Sequence, residues 1–334
     1  MLFMPRLRQS RDLDAIEAPP PLRRAARPKV GLALGGGAAK GWAHIGVVKA
    51  LTENGLIPDI VAGTSIGAVA GGCWAAGKIA ALENFATGLT KRNVFSFMDF
   101  TLARRGLISG DKLRRQLNAH LDGCLIEDLP VPFAAVATEI ETGHEVWTRK
   151  GSLVEAMRAS YALPGIFEPV GIGGRWLMDG AFVNPIPVTT ARALGADVVI
   201  AVNLNSDVFM RSSVIHSHGP RSGAPDAAGL AKQPGLFAPV LGMASLFRRS
   251  AERGEAGPGI ATVMVDAFNI VQDRIARSRL AGDPPDMMIN PKLGGLGLME
   301  FHKARDSIAI GEEATLRVLP EIKSCFAAAL APMH

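Results

Sequence analysis

The segment Ile60-Val-Ala-Gly-Thr-Ser-Ile-Gly67 decides the fold, because it joins a short apolar strand to a helix of small residues through a Gly-X-Ser-X-Gly turn. Such a turn is so tight that only glycine fits on either side of the serine, here Gly63 and Gly67. The turn leaves the serine hydroxyl exposed at the edge of a sheet, and the free N–H groups of the following helix stabilise negative charge beside it. The pattern therefore predicts Ser65 as a nucleophile.

Three other interpretations compete for this region. Residues 60–77 carry no charge, as in a membrane span, but alanine and glycine dominate the run, which is less apolar than spanning helices are. A phosphate loop would need Ser or Thr at Ile79, after Gly77-Lys78. Close packing of a glycine-rich helix on a sheet, with Ser65 as a bystander, stays open on this motif alone.

A second glycine-rich turn lies about thirty residues upstream, after the predicted buried strand Val30–Leu34. A helix follows this turn and Gly55 would cap it. Strand, glycine loop, helix and strand form a βαβ unit, so both glycine turns emerge at the same carboxyl edge of a parallel sheet. The two turns are therefore expected to face one crevice.

The loop Gly35-Gly-Gly-Ala-Ala-Lys-Gly41 can direct backbone N–H groups at an oxyanion, as serine attack on an ester carbonyl requires. A dinucleotide site is the competing interpretation, but it needs an acidic residue where the second strand ends in Val61-Ala62-Gly63. The candidate oxyanion donors are Gly35, Gly36, Gly37 and Ala38.

The serine hydroxyl also needs a general base. Among the seven histidines, His302 is a candidate in the Ser, Asp, His order of α/β-hydrolases, but it lies in a predicted amphipathic helix. Asp179 is the better candidate, because it turns out of the predicted strand Arg175–Met178. An Asp-Gly hairpin turn is the competing interpretation of Asp179-Gly180.

With these motifs in order, the chain resembles the patatin-like phospholipase family, in particular its bacterial branch similar to the catalytic domain of neuropathy target esterase. The resemblance runs from about Lys29 to about Glu313. The motifs that carry it are the Gly35-to-Gly41 loop, Gly63-Thr-Ser65-Ile-Gly67, Arg158-Ala-Ser-Tyr-Ala-Leu-Pro164-Gly-Ile-Phe-Glu-Pro169, Asp179-Gly-Ala and Leu194-Gly-Ala-Asp-Val-Val-Ile-Ala-Val-Asn203.

The resemblance implies a three-layer α/β/α sandwich with a mainly parallel central sheet, and a serine–aspartate dyad without histidine. Ser65 would be the nucleophile and Asp179 the base. Ala38 and Ala181 depart from the family pattern, since glycine is common at both positions, and Ala38 would be unfavourable if its φ angle must be positive. The residues that support the two catalytic motifs are Gly63, Gly67, Gly180 and Ala181.

The implied activity is hydrolysis of acyl-ester bonds in phospholipids or lysophospholipids through an acyl-enzyme intermediate. A general carboxylesterase and a non-catalytic adaptor on the same fold are the alternatives. No cofactor is implied. No metal is implied either, since the three cysteines are far apart in sequence and the acidic and histidine residues near the motifs form no ligand cluster.

Length and composition agree with one large α/β domain, since 334 residues with 48% apolar side chains can bury a full core. We expect a basic, disordered tail at residues 1–28, the catalytic domain at 29–320 and a C-terminal tail at 321–334. Residues 205–259 are rich in Ser, Gly, Pro and Ala and interrupt the alternation of strands and helices, which predicts a lid or a flexible insertion.

Two features predict a contact with anionic membranes for this chain of net charge +5. Residues 236–249 have apolar side chains at roughly helical spacing with cations at the end, although a helix packed on the domain would show the same pattern. The second feature is a basic cluster, which is usually a solvated face but can attract phospholipid headgroups. It includes Arg104, Arg105, Arg114 and Arg115.

Nucleic acid is not an expected partner, because no aromatic residues interleave with the basic ones. The first 28 residues contain no apolar run long enough for a secretory signal. With three cysteines, the chain is expected in a reducing cytoplasm, and a peripheral membrane location agrees equally well with these observations.

Overall fold

The computed structural model describes residues 27–92, 94, 111–207, 260–297 and 299–330. Several predictions fall outside the described residues: residues 1–26 of the tail predicted at 1–28, most of the 205–259 insertion, the 236–249 segment, Arg104 and Arg105. The described strands are β1 (Val30–Leu34), β2 (Ile60–Thr64), β3 (Phe133–Glu139), β4 (Glu145–Thr148), β5 (Val170–Ile172), β6 (Arg175–Asp179), β7 (Val198–Val202) and β8 (Met287–Ile289).

The helices of the described residues alternate with these strands over much of the chain. They are α1 (Ala43–Glu53), α2 (Ile66–Ala75), α3 (Ile79–Thr87), α4 (Asp111–Leu121), α5 (Leu153–Tyr161), α6 (Val188–Ala193), α7 (Ile260–Gly282) and α8 (Ala304–Leu330). Short 3-10 turns lie at Ala38–Trp42, Ile126–Asp128, Gly180–Phe182 and Phe301–Lys303.

All eight strands join one sheet in the order β5-β6-β3-β2-β1-β7-β8, with β4 also paired to β3. Five neighbouring strands of this sheet run parallel to one another, namely β3, β2, β1, β7 and β8. At the other end, β4 and β6 are antiparallel to β3, and β5 is antiparallel to β6. The predicted fold class, an α/β fold with a mainly parallel sheet, is confirmed.

Alternate residues of the central strands belong to two hydrophobic cores on opposite faces of the sheet, because successive side chains of a strand point to opposite faces. Leu32 and Leu34 of β1 belong to the larger core, which packs against α1, α2, α5 and α8. Ala33 of β1 belongs to a smaller core that packs against α6 and α7. Helices thus cover both faces, and β1 reads as a continuous apolar run, as is typical of a buried parallel strand.

The fold continues past the predicted boundary at residue 320, because α8 runs to Leu330 through Pro320. Leu319 and Ile322 lie on one face of α8 and are both buried, Ile322 completely. Residues 321–330 are therefore part of the helix and not a tail. No helix among the described residues is both long enough and apolar enough to span a bilayer.

The buried face of α7 also differs from the expected one. The apolar spacing of the sequence predicts a face that includes Phe268, Val271 and Ile275, but the side chain of Val271 is 43% exposed. Gln272 and Ala276 are buried in its place. The inner face of α7 therefore carries a polar residue, Gln272, which lies next to the site described below.

Candidate active site

Ser65 lies at the sharp turn between β2 and α2, with φ 56° and ψ −125°. Ser65 and Ala38 are the two non-glycine residues with positive φ in the described part of the chain. A Cβ on Gly67 would lie 2.2 Å from the Leu34 carbonyl oxygen, and one on Gly63 would lie 2.5 Å from the Ala68 Cα. Both flanking glycines are thus required by close backbone packing, which forces the strained conformation of Ser65.

Asp179 lies within hydrogen-bond reach of this serine. The Ser65 hydroxyl donates to Asp179 Oδ2 at 2.7 Å, and the other carboxylate oxygen accepts from the Ala181 N–H at 2.8 Å. Asp179-Gly180 does not form a hairpin turn, because a 3-10 turn begins at Gly180. A Cβ on Gly180 would lie 2.2 Å from the Val136 carbonyl oxygen, so this position also requires glycine.

Asp179 is only 2% exposed. Burial raises the pKa of Asp179 from its ordinary 3.8 to about 6, against the opposing effect of the hydrogen bonds from the Ala181 N–H and the Ser65 hydroxyl. An aspartate with this pKa is ionised at neutral pH, and it is a stronger base than an exposed aspartate.

Two buried hydroxyl groups, for which the sequence patterns predicted no role, hold the backbone of this pair. Ser160 Oγ accepts from the Ser65 N–H at 2.8 Å and donates to the Val136 carbonyl at 2.6 Å. Thr138 Oγ1 donates to the Asp179 carbonyl at 2.8 Å. Ser160 lies inside the 158–169 motif that carries the family resemblance, and this position was the one indication in the sequence that it has a role at the site.

The glycine loop divides into two halves that differ in their free N–H groups. The Gly35 N–H donates to the Val202 carbonyl at 3.2 Å, and the Gly36 N–H donates to the Pro185 carbonyl at 3.0 Å. No hydrogen bond to another described residue occupies the N–H groups of Gly37 and Ala38. Two of the four candidate donors therefore remain available to a ligand.

Ala38 does adopt the positive φ that glycine tolerates best, with a value of 49°. The left-handed conformation of a residue with a Cβ costs about 1–2 kcal/mol. Ala38 and Ser65 both face the same cavity. Backbone strain in the described chain is thus concentrated at this site, as is common for functional sites.

His44 holds the glycine loop through a hydrogen bond to its first residue, Gly35. Its ring is fully buried, and Nε2–H donates to the Gly35 carbonyl at 2.7 Å. Burial lowers the pKa of His44 to about 4, so the ring is neutral at physiological pH. His302, the weaker candidate base, lies in the turn Phe301–Lys303, and its buried Nε2 has no partner among the described residues.

A cavity of about 190 Å³ has Ser65 and Asp179 in its lining. It is also lined by one face of α2, including Val69 and Cys73, and by residues of α3 and α4. The stretch of α2 from Ser65 to Cys73, which runs along the cavity, is about 12 Å long at 1.5 Å per residue. The apolar residues that line the cavity include Trp42, Val69, Leu82, Phe85, Leu117 and Phe167.

The site offers no evident place for a metal ion. No group of three or more His, Cys, Asp or Glu side chains in the described ranges is arranged to hold one. The chemistry that this site can support with its own residues is attack by a hydroxyl, assisted by a carboxylate and by backbone N–H donors.

Comparison with known proteins assigns this architecture to a class. Residues 32–192, from β1 to α6, match the family model of the patatin-like phospholipases. An uncharacterized NTE family protein from Mycobacterium bovis is 31% identical over 338 residues, which cover 89% of this chain and 93% of that protein. The chain belongs to the patatin-like phospholipase family, which confirms the predicted family and its enzyme class of acyl-ester hydrolase.

Within that family the similarity is to the NTE proteins. Lysophospholipase nte1 from Emericella nidulans is 33% identical over 199 residues, which cover 55% of this chain and 12% of that protein. Among solved structures, the crystal structure of VipD from Legionella pneumophila aligns over 89% of this chain and 68% of that chain, with a TM-score of 0.49 and 15% identity.

Proposed function

We propose that the protein hydrolyses an acyl-ester bond of a phospholipid or lysophospholipid, with Ser65 as nucleophile and Asp179 as general base. One observation carries the proposal: the 2.7 Å hydrogen bond from the Ser65 hydroxyl to Asp179 Oδ2, in a buried site that opens into an apolar cavity. A hydroxyl held in this way can pass its proton to the carboxylate as it attacks.

In the first half of the reaction, Ser65 Oγ forms a bond to the ester carbonyl carbon while its proton moves to Asp179. The carbonyl oxygen becomes an oxyanion, and the N–H groups of Gly37 and Ala38 donate to it. The carbon–oxygen bond to the alcohol then breaks, and the alcohol leaves with the proton from Asp179. The acyl group stays on Ser65.

In the second half, a water molecule attacks the acyl-enzyme and gives its proton to Asp179. The bond between Ser65 Oγ and the acyl carbon breaks, Oγ recovers the proton, and a fatty acid is released. The raised pKa of Asp179 supports both halves, because the same carboxyl group must accept and return a proton near neutral pH.

The apolar cavity supports a lipid as the substrate. A chain of methylene groups gains about 0.8 kcal/mol for each CH₂ that it buries, whereas a short acyl group would leave most of the apolar wall without a contact. The name of the fungal relative, a lysophospholipase, agrees with this substrate class. A general carboxylesterase would be expected to prefer short acyl chains instead.

We extend the proposal to the membrane surface through α4. Leu117 and Leu121 of α4 line the cavity, whereas Arg115 lies on the other side of the helix and is exposed. Arg114 is also exposed, beside Leu121, and its Nε lies 3.4 Å from Glu155 Oε1. Cations beside a lipid-binding cavity attract the phosphates of anionic lipids. Reversal of the Arg115 charge is therefore expected to weaken binding to vesicles that contain phosphatidylserine, but not to vesicles of phosphatidylcholine alone.

Labelling with a fluorophosphonate, followed by mapping of the modified residue, tests the proposed nucleophile. We expect the label on Ser65, and a loss of at least about 10³-fold in ester hydrolysis for Ser65→Ala and for Asp179→Asn. Ser278→Ala, a change at an exposed serine of α7, is the matched control and should leave the rate unchanged.

The choice of substrates separates the alternatives. Acyl esters of increasing chain length and a lysophospholipid should be hydrolysed faster as the chain lengthens, until the cavity is filled. A preference for acetate or butyrate esters would favour a general carboxylesterase. Hydrolysis that is absent, or that persists in Ser65→Ala, would favour a non-catalytic adaptor.

A further inference from the structure

Gln272 on α7 is a buried polar residue beside the nucleophile that the mechanism above does not use. It is 4% exposed and lines the same cavity as Ser65 and Asp179. Its Nε2 lies 3.9 Å from the position that a Cβ would take on Gly36, and Ser65 Cβ lies 3.5 Å from that position. The amide and the nucleophile therefore border one small space next to Gly36.

No hydrogen bond joins the amide of Gln272 to another described residue, and the residue lines the cavity. A polar group left unpaired at the wall of a cavity is usually completed by a ligand or by water. The cavity around Gln272 is mostly apolar, so the ester group is the part of a bound acyl chain that can supply a hydrogen-bond acceptor. Gly36 keeps the space between the amide and Ser65 free, because it has no side chain.

Two contacts hold α7 so that this amide stays in place. Phe268, one turn before Gln272, packs on Phe182 with ring centroids 4.8 Å apart. Arg279, two turns after Gln272, donates to Glu145 Oε2 at 2.8 Å. Residues four and seven positions away share one face of a helix, so both anchors fix the face that carries Gln272.

We infer that Gln272 binds the substrate directly: its Nε2–H donates to the carbonyl oxygen of the ester and to the oxyanion that forms from it. This inference rests on the proposed function and adds a side-chain donor to the N–H groups of Gly37 and Ala38. Side-chain amides serve as oxyanion donors when they are fixed in advance. Helix α7 lies outside residues 32–192, which match the family model, so this contact belongs to the C-terminal part of this chain.

Gln272→Met tests the inference, since methionine has a similar length and no donor. For a medium-chain p-nitrophenyl ester we expect kcat to fall about 10²-fold, and KM to change much less, because the donor contributes most when charge develops. Val271→Met is the matched control. Val271 is the neighbour of Gln272 on α7, is 43% exposed and does not line the cavity, so the kcat of this variant is expected to stay within about twofold of the wild type.

Binding without turnover provides a second test, which uses Ser65→Ala. A monoacyl phosphatidylcholine and its ether analogue, which lacks the carbonyl oxygen, are compared below their micelle concentrations. In Ser65→Ala the ester is expected to bind about fivefold tighter than the ether, and this preference should disappear in Ser65→Ala/Gln272→Met.

A kcat of Gln272→Met equal to that of Val271→Met would overturn the inference, as would an ester preference that persists without Gln272. Gln272→Glu, which keeps the side-chain shape, replaces the methionine variant if the latter fails to fold, with the same expected loss. A failure of the proposed function looks different: the wild type would then show neither hydrolysis nor labelling of Ser65, and the inference would fall with it.

Discussion

Thr64 and Asp179 are the last residues of β2 and β6, and they pair with consecutive residues of β3. Thr64 lies opposite Val136, and Asp179 lies opposite Ala137. Strand β4 occupies the other edge of β3 at both positions, so β2 and β6 approach one edge from opposite directions. The residue after Thr64 is Ser65, which therefore meets a carboxylate 114 residues away in the chain.

The pH dependence of hydrolysis should report the ionisation of Asp179. Since burial raises the pKa of Asp179 to about 6, kcat/KM should fall about tenfold per pH unit below this value and be level above it. The measurement is kcat/KM for an uncharged ester between pH 4 and 9. An inflection near 4, the value of an exposed aspartate, would mean that the carboxyl group is not tuned by burial.

Asp179→Asn should raise the free energy of unfolding at alkaline pH while it abolishes hydrolysis. The pKa of Asp179 is about 6 in the folded protein and 3.8 when unperturbed, so the folded state holds the proton more tightly. Stability is then lost as the pH rises from about 4 to 6, and the penalty above this window is on the order of 3 kcal/mol.

Denaturant unfolding of wild type and Asp179→Asn at pH 4 and pH 8 measures this penalty. The variant should be more stable at pH 8 and similar to the wild type at pH 4. A difference that is the same at both pH values would contradict the assignment, because only an ionisable group produces a difference that depends on pH.

Ser160→Ala should lower kcat through the position of Ser65 and leave KM nearly unchanged. Ser160 does not line the cavity, but its loss leaves the Ser65 N–H and the Val136 carbonyl without a partner. This should cost about 1–3 kcal/mol of stability. Because Ser65 is also strained, we expect a fall in kcat of about ten- to a hundredfold.

The matched control for this variant is Thr315→Val, at a fully buried threonine of α8 whose hydroxyl donates to the Gly311 carbonyl at 2.9 Å. It removes a buried hydrogen bond between two residues that do not line the cavity, so it should reduce stability without a change in kcat. Equal kcat values for the two variants would show that Ser160 contributes to stability alone.

Gly67→Ala should destabilise the fold by several kcal/mol, because its Cβ would lie 2.2 Å from a backbone oxygen that cannot move away. Gly282→Ala is the control. A Cβ on Gly282 would meet no atom within 4 Å, so its free energy of unfolding should change by less than about 0.5 kcal/mol. Chemical denaturation compares the two, and similar values would refute the close approach of α2 to β1.

Much of the fold was predictable from local patterns. The apolar run at Val30–Leu34 is strand β1, and the strand predicted at Arg175–Met178 is β6, which the structure extends to Asp179. The position of Ser65 in a tight turn was predictable because the turn depends on its neighbours in sequence. The exposure expected for its hydroxyl was wrong, since Ser65 is buried and faces the cavity. Asp179 was identified from its position after a strand and from the family resemblance.

The sequence by itself therefore determined the order of strands and helices, the two glycine turns and the residue types at the site. Only the tertiary structure decided which groups meet: that Gly35 and Gly36 give their N–H groups to distant carbonyls, and that Gln272 is buried where Val271 was expected. The physical reason is the distance along the chain between the residues that interact. Turn geometry and periodicity arise from neighbouring residues, whereas a hydrogen bond between Ser65 and Asp179 requires three strands to be paired in one register.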